Sequence, residues 1–133
     1  MPNDIYQDFI LELYKNPINF GKLDGANRTA KSYNPLCGDK IELFLRVNEK
    51  NGVIEEAKFI GSGCAISQAT ACLLTEEIKG KKLVDLAKYE KEDILRIIKI
   101  DLSKNPSRLK CALMSLEVLK KALIQANEKE GNK

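Results

Sequence analysis

Residues 41–60 read IELFLRVNEKNGVIEEAKFI, and this stretch decides the fold. Both of its halves are rich in Val, Ile, Leu and Phe, and the dipeptide Asn51-Gly52 lies between them. Asn-Gly between two such runs is the strongest short-range signal for a β-hairpin. The sequence therefore predicts antiparallel strands at residues 41–47 and 53–60, with a further strand at residues 28–33.

Helical spacing of apolar residues flanks the predicted strands on both sides. An amphipathic pattern runs from Ile5 to Tyr14 and is broken by Asn16-Pro17. After Cys64 the spacing of apolar residues changes from about 2 to about 3.6, which is typical of a helix, and Gly80 closes that helix.

Three more helices are predicted in the remainder of the chain. Two are short, around residues 83–87 and 94–98. The third is long, with Asn105 or Ser107 as its cap and Pro106 near its first turn. Because strands come before most of the helices, the order indicates an α+β fold in which helices pack on one face of a small antiparallel sheet.

The composition is that of an ordinary globular domain. The chain has 133 residues, of which 44% are hydrophobic and 31% charged, and this length can bury one core without disulfide staples. We predict a single domain over residues 1–127, followed by a frayed tail at 128–133. Because the first residues are not a basic leader and apolar runs are short, the expected location is the cytoplasm, with no membrane partner.

The net charge of +3 is modest, and lysines are interspersed with glutamates along the predicted helices. The densest basic run is Lys79-Gly80-Lys81-Lys82, and no aromatic residue is interleaved with it. A nucleic-acid-binding surface needs clustered positive charge or aromatic residues on which bases can stack. We therefore expect a solvated helix end here and no nucleic-acid partner.

The chain contains four cysteines and no histidine. Without imidazole, any metal must be held by sulfur and oxygen, and His-dependent hydrolases and zinc proteases are excluded. In a cytoplasmic protein, cysteines are more often metal ligands, reactive thiols or core residues than disulfides.

Two of the cysteines have glycine-containing surroundings at the edges of predicted elements. Cys37 lies in the segment NPLCGD, where the proline stiffens the loop and the glycine lets Cys37 and Asp39 face the same point. Cys64 follows Gly-Ser-Gly and precedes a helix, whose dipole favours the thiolate.

The other two cysteines differ from each other in their neighbours. Cys111 lies in the first turns of the last helix, where Arg108 and Lys110 are expected to lower its pKa. Cys72 lies on an apolar helix face without glycine or basic neighbours, so we assign it to the core. Three thiols and one carboxylate remain, which is enough for a closed four-coordinate metal site.

Four segments that occur in this order resemble the IscU/SufU/NifU N-terminal family of iron–sulfur cluster assembly proteins. They are residues 14–19 (YKNPIN), 34–39 (NPLCGD), 59–69 (FIGSGCAISQA) and 109–112 (LKCA). The resemblance covers almost the whole chain. It implies a three-stranded antiparallel sheet packed against about five helices, with Cys37, Asp39, Cys64 and Cys111 converging at one exposed end.

The resemblance implies two alternative activities. As a scaffold, the chain would hold a [2Fe–2S] cluster built from iron and from sulfur supplied by a cysteine desulfurase, and would pass it to apo-proteins. As a SufU-type sulfur carrier, it would bind Zn²⁺ through the same four residues and act as a sulfurtransferase. In either case we expect Cys37 to accept the sulfur, because a loop cysteine can reach the partner's persulfide.

Two departures from the family bear on these alternatives. IscU proteins carry His immediately before the last cysteine and a Leu-Pro-Pro-Val-Lys segment that a heat-shock chaperone recognises. Here Lys110 and the segment KNPSR at 104–108 stand in those places, so the sequence does not support recognition by that chaperone. The Arg-x-Lys-Cys motif is similar to SufU, whereas the short stretch between Cys64 and Cys111 is similar to IscU.

Charge does not decide between zinc and a cluster. Three thiolates and one carboxylate leave about −2 around either Zn²⁺ or an oxidised [2Fe–2S] core, and Arg108 and Lys110 would offset both. A monomer and a homodimer that shares a cluster both fit the sequence.

Overall fold

The structure is a computed structural model that describes residues 2–35, 38–99, 102 and 104–131. Its helices are α1 (Pro2–Lys15), α2 (Ala65–Ile78), α3 (Leu83–Leu86), α4 (Lys91–Ile98) and α5 (Pro106–Gly131), and its strands are β1 (Arg28–Asn34), β2 (Asp39–Asn48) and β3 (Val53–Ser62). Within these residues, the five helices and the three-stranded antiparallel sheet confirm the predicted fold.

The three strands lie in the order β1-β2-β3, and both neighbouring pairs are antiparallel. The hairpin between β2 and β3 turns at the predicted Asn51-Gly52 pair, where Gly52 has a φ of 73° and the Val53 N–H donates to the Asn51 side chain at 2.9 Å. Both strands extend beyond their predicted ends. In particular, the pairing of β1 with β2 continues to Asn34 and Asp39, the first and last residues of the NPLCGD segment.

The helices cover one face of the sheet and bury its alternate residues. Leu43, Leu45, Ala57 and Phe59 are buried, and α2 packs against β3 while α5 packs against β1 and β2. Burying a Leu or Phe side chain contributes about 1.5–3 kcal/mol. A slip of one residue would turn this whole set toward solvent, so the burial fixes the register that brings β2 and α5 together.

The connector between α1 and β1 covers part of the outer edge of β3. Phe59 donates its N–H to the Asn19 carbonyl at 2.9 Å, and Gly21 donates to the Phe59 carbonyl at 2.8 Å. Asn19 has a φ of 59°, and its side-chain oxygen accepts a hydrogen bond from Lys79 at the end of α2. The connector after α1 is therefore held against the sheet, which places Phe20 beside Phe59 in an edge-to-face contact.

The start of α5 is fixed by Asn105, one of the two predicted caps. Its side-chain oxygen accepts a hydrogen bond from the Arg108 N–H at 3.2 Å, and Pro106 is the first helical residue. The helix continues to Gly131, and the domain limit at residue 127 stays a prediction. Within the described ranges, no helix combines the length and the hydropathy needed to cross a membrane.

Candidate metal centre

Asp39, Cys64 and Cys111 bring one carboxylate and two thiols together at the end of the sheet. Their ligand atoms all lie within 4.8 Å of one another. Each residue comes from a different element: Asp39 begins β2, Cys64 immediately precedes α2, and Cys111 lies in the second turn of α5. The structure thus brings together three of the four predicted site residues.

Cys64 occupies the N-cap of α2, as the Gly-Ser-Gly context predicts. Its backbone is extended, and its Sγ accepts a hydrogen bond from the Ser67 N–H at 3.5 Å. The Ser67 hydroxyl donates in turn to the Cys64 carbonyl at 3.1 Å. The cap geometry therefore fixes the position of this sulfur at the start of α2.

Asp39 is held in place by the chain segment that precedes α2. Its side chain is buried, with 1% of the residue exposed, and Oδ1 accepts a hydrogen bond from the Cys64 N–H at 3.0 Å. Hydrogen bonds of this kind orient a ligand before metal binds. The carboxylate and the Cys64 backbone are therefore fixed relative to each other.

Gly63 makes this close approach sterically feasible. It has a φ of 140°, and a Cβ at this position would collide with the Asp39 carboxylate, lying 2.6 Å from its Cγ. The sequence analysis identified Gly63 only as part of the Gly-Ser-Gly segment before Cys64 and predicted no separate role for it. No local pattern could have shown that its missing side chain leaves space for a residue 24 positions earlier in the chain.

Cys111 is buried on α5, and burial raises the pKa of its thiol well above the usual range. Hydrogen bonds with Asp39 and Cys64 raise this pKa further. The expectation that Arg108 and Lys110 would lower it is wrong, because both residues are exposed while the Cys111 thiol faces inward. A metal cation favours the deprotonated form of a coordinating thiol, so this donor set is suited to a bound cation.

The donor set fits the predicted metals in type and in spacing. Tetrahedral zinc with Zn–S bonds of about 2.3 Å places its ligand atoms about 3.8 Å apart, so donors within 4.8 Å need only a small adjustment. Thiolates with one carboxylate suit zinc or an iron–sulfur cluster, whereas calcium and magnesium require oxygen ligands. The site is therefore compatible with both predicted cofactors.

Cys37, the remaining predicted ligand and sulfur acceptor, lies outside the described residues. Asn34 and Gly38, which flank this position in the sequence, are connected by a hydrogen bond from the Gly38 N–H to the Asn34 carbonyl at 2.8 Å. In the sequence, Cys37 stands two residues before Asp39. Its role stays a prediction.

Cys72 lies apart from the centre, in the core, as predicted. It is fully buried on α2, and burial raises the pKa of its thiol to about 11. Its Sγ lies 3.9 Å from the Leu13 carbonyl oxygen. Cys64, Cys72 and Cys111 are all free thiols.

Comparison with known proteins gives a consistent family. The sequence model described as NifU-like N terminal domain matches residues 5–133. The chain is 35% identical over 143 residues to the zinc-dependent sulfurtransferase SufU of Bacillus subtilis, a match that covers 96% of this chain and 94% of the relative. It is 36% identical over 134 residues to the iron–sulfur cluster assembly scaffold protein IscU of Thermotoga maritima, with 90% and 92% covered.

Solved structures share the fold. A SUF-system protein from Fervidobacterium islandicum, described as an iron–sulfur cluster assembly scaffold, superposes with a TM-score of 0.75 at 27% identity and covers 87% of this chain and 94% of its own. The N-terminal part of a NifU-like protein from Brucella abortus gives a TM-score of 0.79 at 19% identity, over 96% and 97% of the two chains. The second likeness concerns the fold alone.

Proposed function

Because this chain belongs to the NifU-like N-terminal domain family, we propose that it is a scaffold on which a [2Fe–2S] cluster is assembled and from which the cluster passes to apo-proteins. The observation that carries the proposal is the convergence of Asp39, Cys64 and Cys111, from three different elements, to within 4.8 Å. The cluster is cargo in this function. Its iron and its sulfur arrive separately, and the sulfur comes from a cysteine desulfurase.

Four residues hold the cargo in this proposal: Cys37, Asp39, Cys64 and Cys111. Asp39 supplies the oxygen among three sulfurs, and oxygen is the harder and weaker partner for iron. It is therefore the ligand that leaves most readily when the cluster is released. Arg108 and Lys110, exposed on α5, offset the charge of about −2 that the ligands and cluster carry together.

Sulfur enters through Cys37 in this proposal. The Cys37 thiolate attacks the terminal sulfur of the desulfurase persulfide and forms a new S–S bond. The S–S bond of the donor breaks, and the donor cysteine leaves as a thiolate, so the transfer involves no net oxidation. Cys64 and Cys111 are less suited to this step, because each is anchored at or within a helix.

A zinc-bound sulfur carrier is the second candidate. Lys110 stands immediately before Cys111, as in SufU-type sequences, and the compact donor set also meets the spacing of a zinc site. Bound zinc would keep the coordinating thiols deprotonated at neutral pH. The same residues, Cys37, Asp39, Cys64 and Cys111, would hold it, and the protein would then act as a sulfurtransferase.

Anaerobic reconstitution with ferrous iron and sulfide, followed by absorption spectra and metal analysis, tests the proposal. The scaffold function predicts a coloured protein with about two irons and two sulfides per chain. Cys64→Ser and Cys111→Ser should lose this content, and the matched control Cys72→Ala should retain it. Colourless protein that keeps one tightly bound zinc per chain would contradict the scaffold and support the carrier.

The route of sulfur needs a separate experiment. The protein is incubated with a cysteine desulfurase and cysteine, and the added sulfur is mapped by mass spectrometry. We expect the label on Cys37. A label mainly on Cys64, Cys72 or Cys111 would overturn this assignment.

A further inference from the structure

Tyr33 is an exposed aromatic residue that stands between two cavities. It lies near the end of β1, and 62% of the residue is exposed. It lines a cavity of about 620 Å³ and also a second cavity of about 360 Å³. The two cavities and the tyrosine between them form one surface, which we call the Tyr33 surface.

The first cavity lies on the sheet face that the helices leave uncovered. Its walls include Phe20, Lys31, Lys40, Glu42 and Ile60. All of these except Phe20 lie on strands, where they alternate with the residues buried under the helices. Lys31 pairs with Glu42, and Glu42 pairs with Ile60, so these three lie side by side.

The second cavity lies between the end of β1 and α5. Its walls include Pro35, Lys110, Met114 and Glu117. It therefore combines apolar side chains with charged ones, as the first cavity does.

The Tyr33 surface lies at the same end of the sheet as the candidate metal centre, because Tyr33 and Asn34 pair with Lys40 and Asp39. Asn34, in the wall of the second cavity, pairs with Asp39 across β1 and β2, and Lys110, in the same wall, immediately precedes Cys111. A protein that delivers sulfur to these ligands must bring its own sulfur to within bonding distance. Such a protein must therefore contact the residues beside the donor set.

The charge of this surface favours an acidic partner. Lys31, Lys40 and Lys110 are exposed and have no ion-pair partner among the described residues. The acidic residues of the cavity walls are Glu42 and Glu117, and Glu117 already pairs with Lys121 at 3.6 Å. Unpaired positive charge is therefore in excess around an exposed aromatic ring.

We propose that the Tyr33 surface docks an acidic segment of the sulfur-delivering desulfurase, with an apolar side chain of that segment packed against Tyr33. This inference rests on the proposed function. Tyrosine gives a large contact area for little loss of conformational freedom and is enriched among residues that dominate binding energy. The lysines attract the acidic segment over a longer range and increase the association rate.

Binding of a purified cysteine desulfurase to the metal-loaded protein tests the inference, with dissociation constants and association rates measured at two salt concentrations. We expect Tyr33→Ala to weaken binding by about tenfold or more. Lys31→Glu should chiefly slow association and reduce its dependence on salt. The controls Val84→Ala and Lys88→Glu change an apolar residue about as exposed as Tyr33 and an exposed lysine, both outside this surface, and should bind as wild type does.

Metal or cluster content of each variant is measured in parallel, and we expect it to equal that of wild type. If Tyr33→Ala and Lys31→Glu bind as the controls do, or if wild type binds no desulfurase, the inference is wrong. It is also wrong if wild type is a homodimer that Tyr33→Ala dissociates, because the occupant would then be a second copy. Cluster reconstitution of wild type reports on the proposed function independently of all these binding results.

Discussion

Replacing Gly63 by alanine tests the geometry of the metal centre directly. The added methyl carbon would lie 2.6 Å from Asp39 Cγ and 2.9 Å from Asp39 Cα, whereas carbon atoms in comfortable contact are about 3.5–4.0 Å apart. Asp39 begins β2 and cannot move freely. Gly63→Ala should therefore displace the carboxylate and break its hydrogen bond from the Cys64 N–H.

The expected size of the effect follows from two contributions. A residue with a side chain at a φ of 140° costs about 1–3 kcal/mol, and loss of a buried hydrogen bond to a charged carboxylate costs about 1.5–3 kcal/mol. We expect Gly63→Ala to lower the free energy of unfolding by about 3–5 kcal/mol, a large share of the stability of a typical domain. Displacing an oriented ligand should also weaken zinc binding by about 10- to 100-fold.

Gly80→Ala is the matched control. Gly80 also has a positive φ, 82°, but a Cβ there would meet no atom within 4 Å. Gly80→Ala should lower the free energy of unfolding by the backbone contribution alone, about 1–3 kcal/mol, and should leave zinc affinity unchanged. Urea unfolding in the presence of a chelator and zinc competition with a chromophoric chelator measure the two quantities. Equal destabilisation in both variants, with wild-type zinc affinity in Gly63→Ala, would refute the reasoning.

Three further variants have defined expectations. Asp39→Ala should slow release of the cluster to an acceptor, which is measured as the decay of visible absorption. Faster decay than in wild type would count against Asp39 as the ligand that leaves. Cys72→Ala should cost about 1–2 kcal/mol in urea unfolding and keep full metal content, and loss of metal would contradict its assignment to the core. The hydrogen bond with Arg96 lowers the pKa of Glu77 from its usual range, so the stabilisation from this ion pair is present at neutral pH and is lost as the pH falls through the lowered pKa. Glu77→Gln should therefore cost about 1 kcal/mol at pH 7 in urea unfolding and progressively less as the pH is lowered, unlike the exposed control Glu92→Gln. A loss that does not depend on pH would refute the ion-pair account.

Local patterns in the sequence were sufficient for most of the secondary structure. The Asn51-Gly52 turn and its flanking apolar runs predicted the hairpin, because turn type and side-chain alternation depend on neighbouring residues. The N-cap position of Cys64 and the start of α5 at Pro106 were equally local. The assignment of Cys72 to the core followed from the apolar helix face on which it lies.

The candidate site was predicted as a set of residue types, and its geometry was not. Cys64 follows Asp39 by 25 residues, and Cys111 is farther still along the chain. Their approach depends on how α2 and α5 pack on the sheet. Sequence neighbours therefore misled the expectation for Cys111, whose pKa is set by burial and by Asp39 and Cys64 rather than by Lys110.

The sequence by itself determined the order of the elements, the hairpin, and which residue types could bind a metal, because each of these depends on short-range preferences of the chain. Tertiary structure alone decided that Gly63 leaves space for Asp39, that burial raises the Cys111 pKa, and that Tyr33 stands between two cavities beside the centre. The physical reason is that steric exclusion, desolvation and the shape of a surface depend on distances between elements. Those distances are fixed by packing of the core and not by the residues adjacent in sequence.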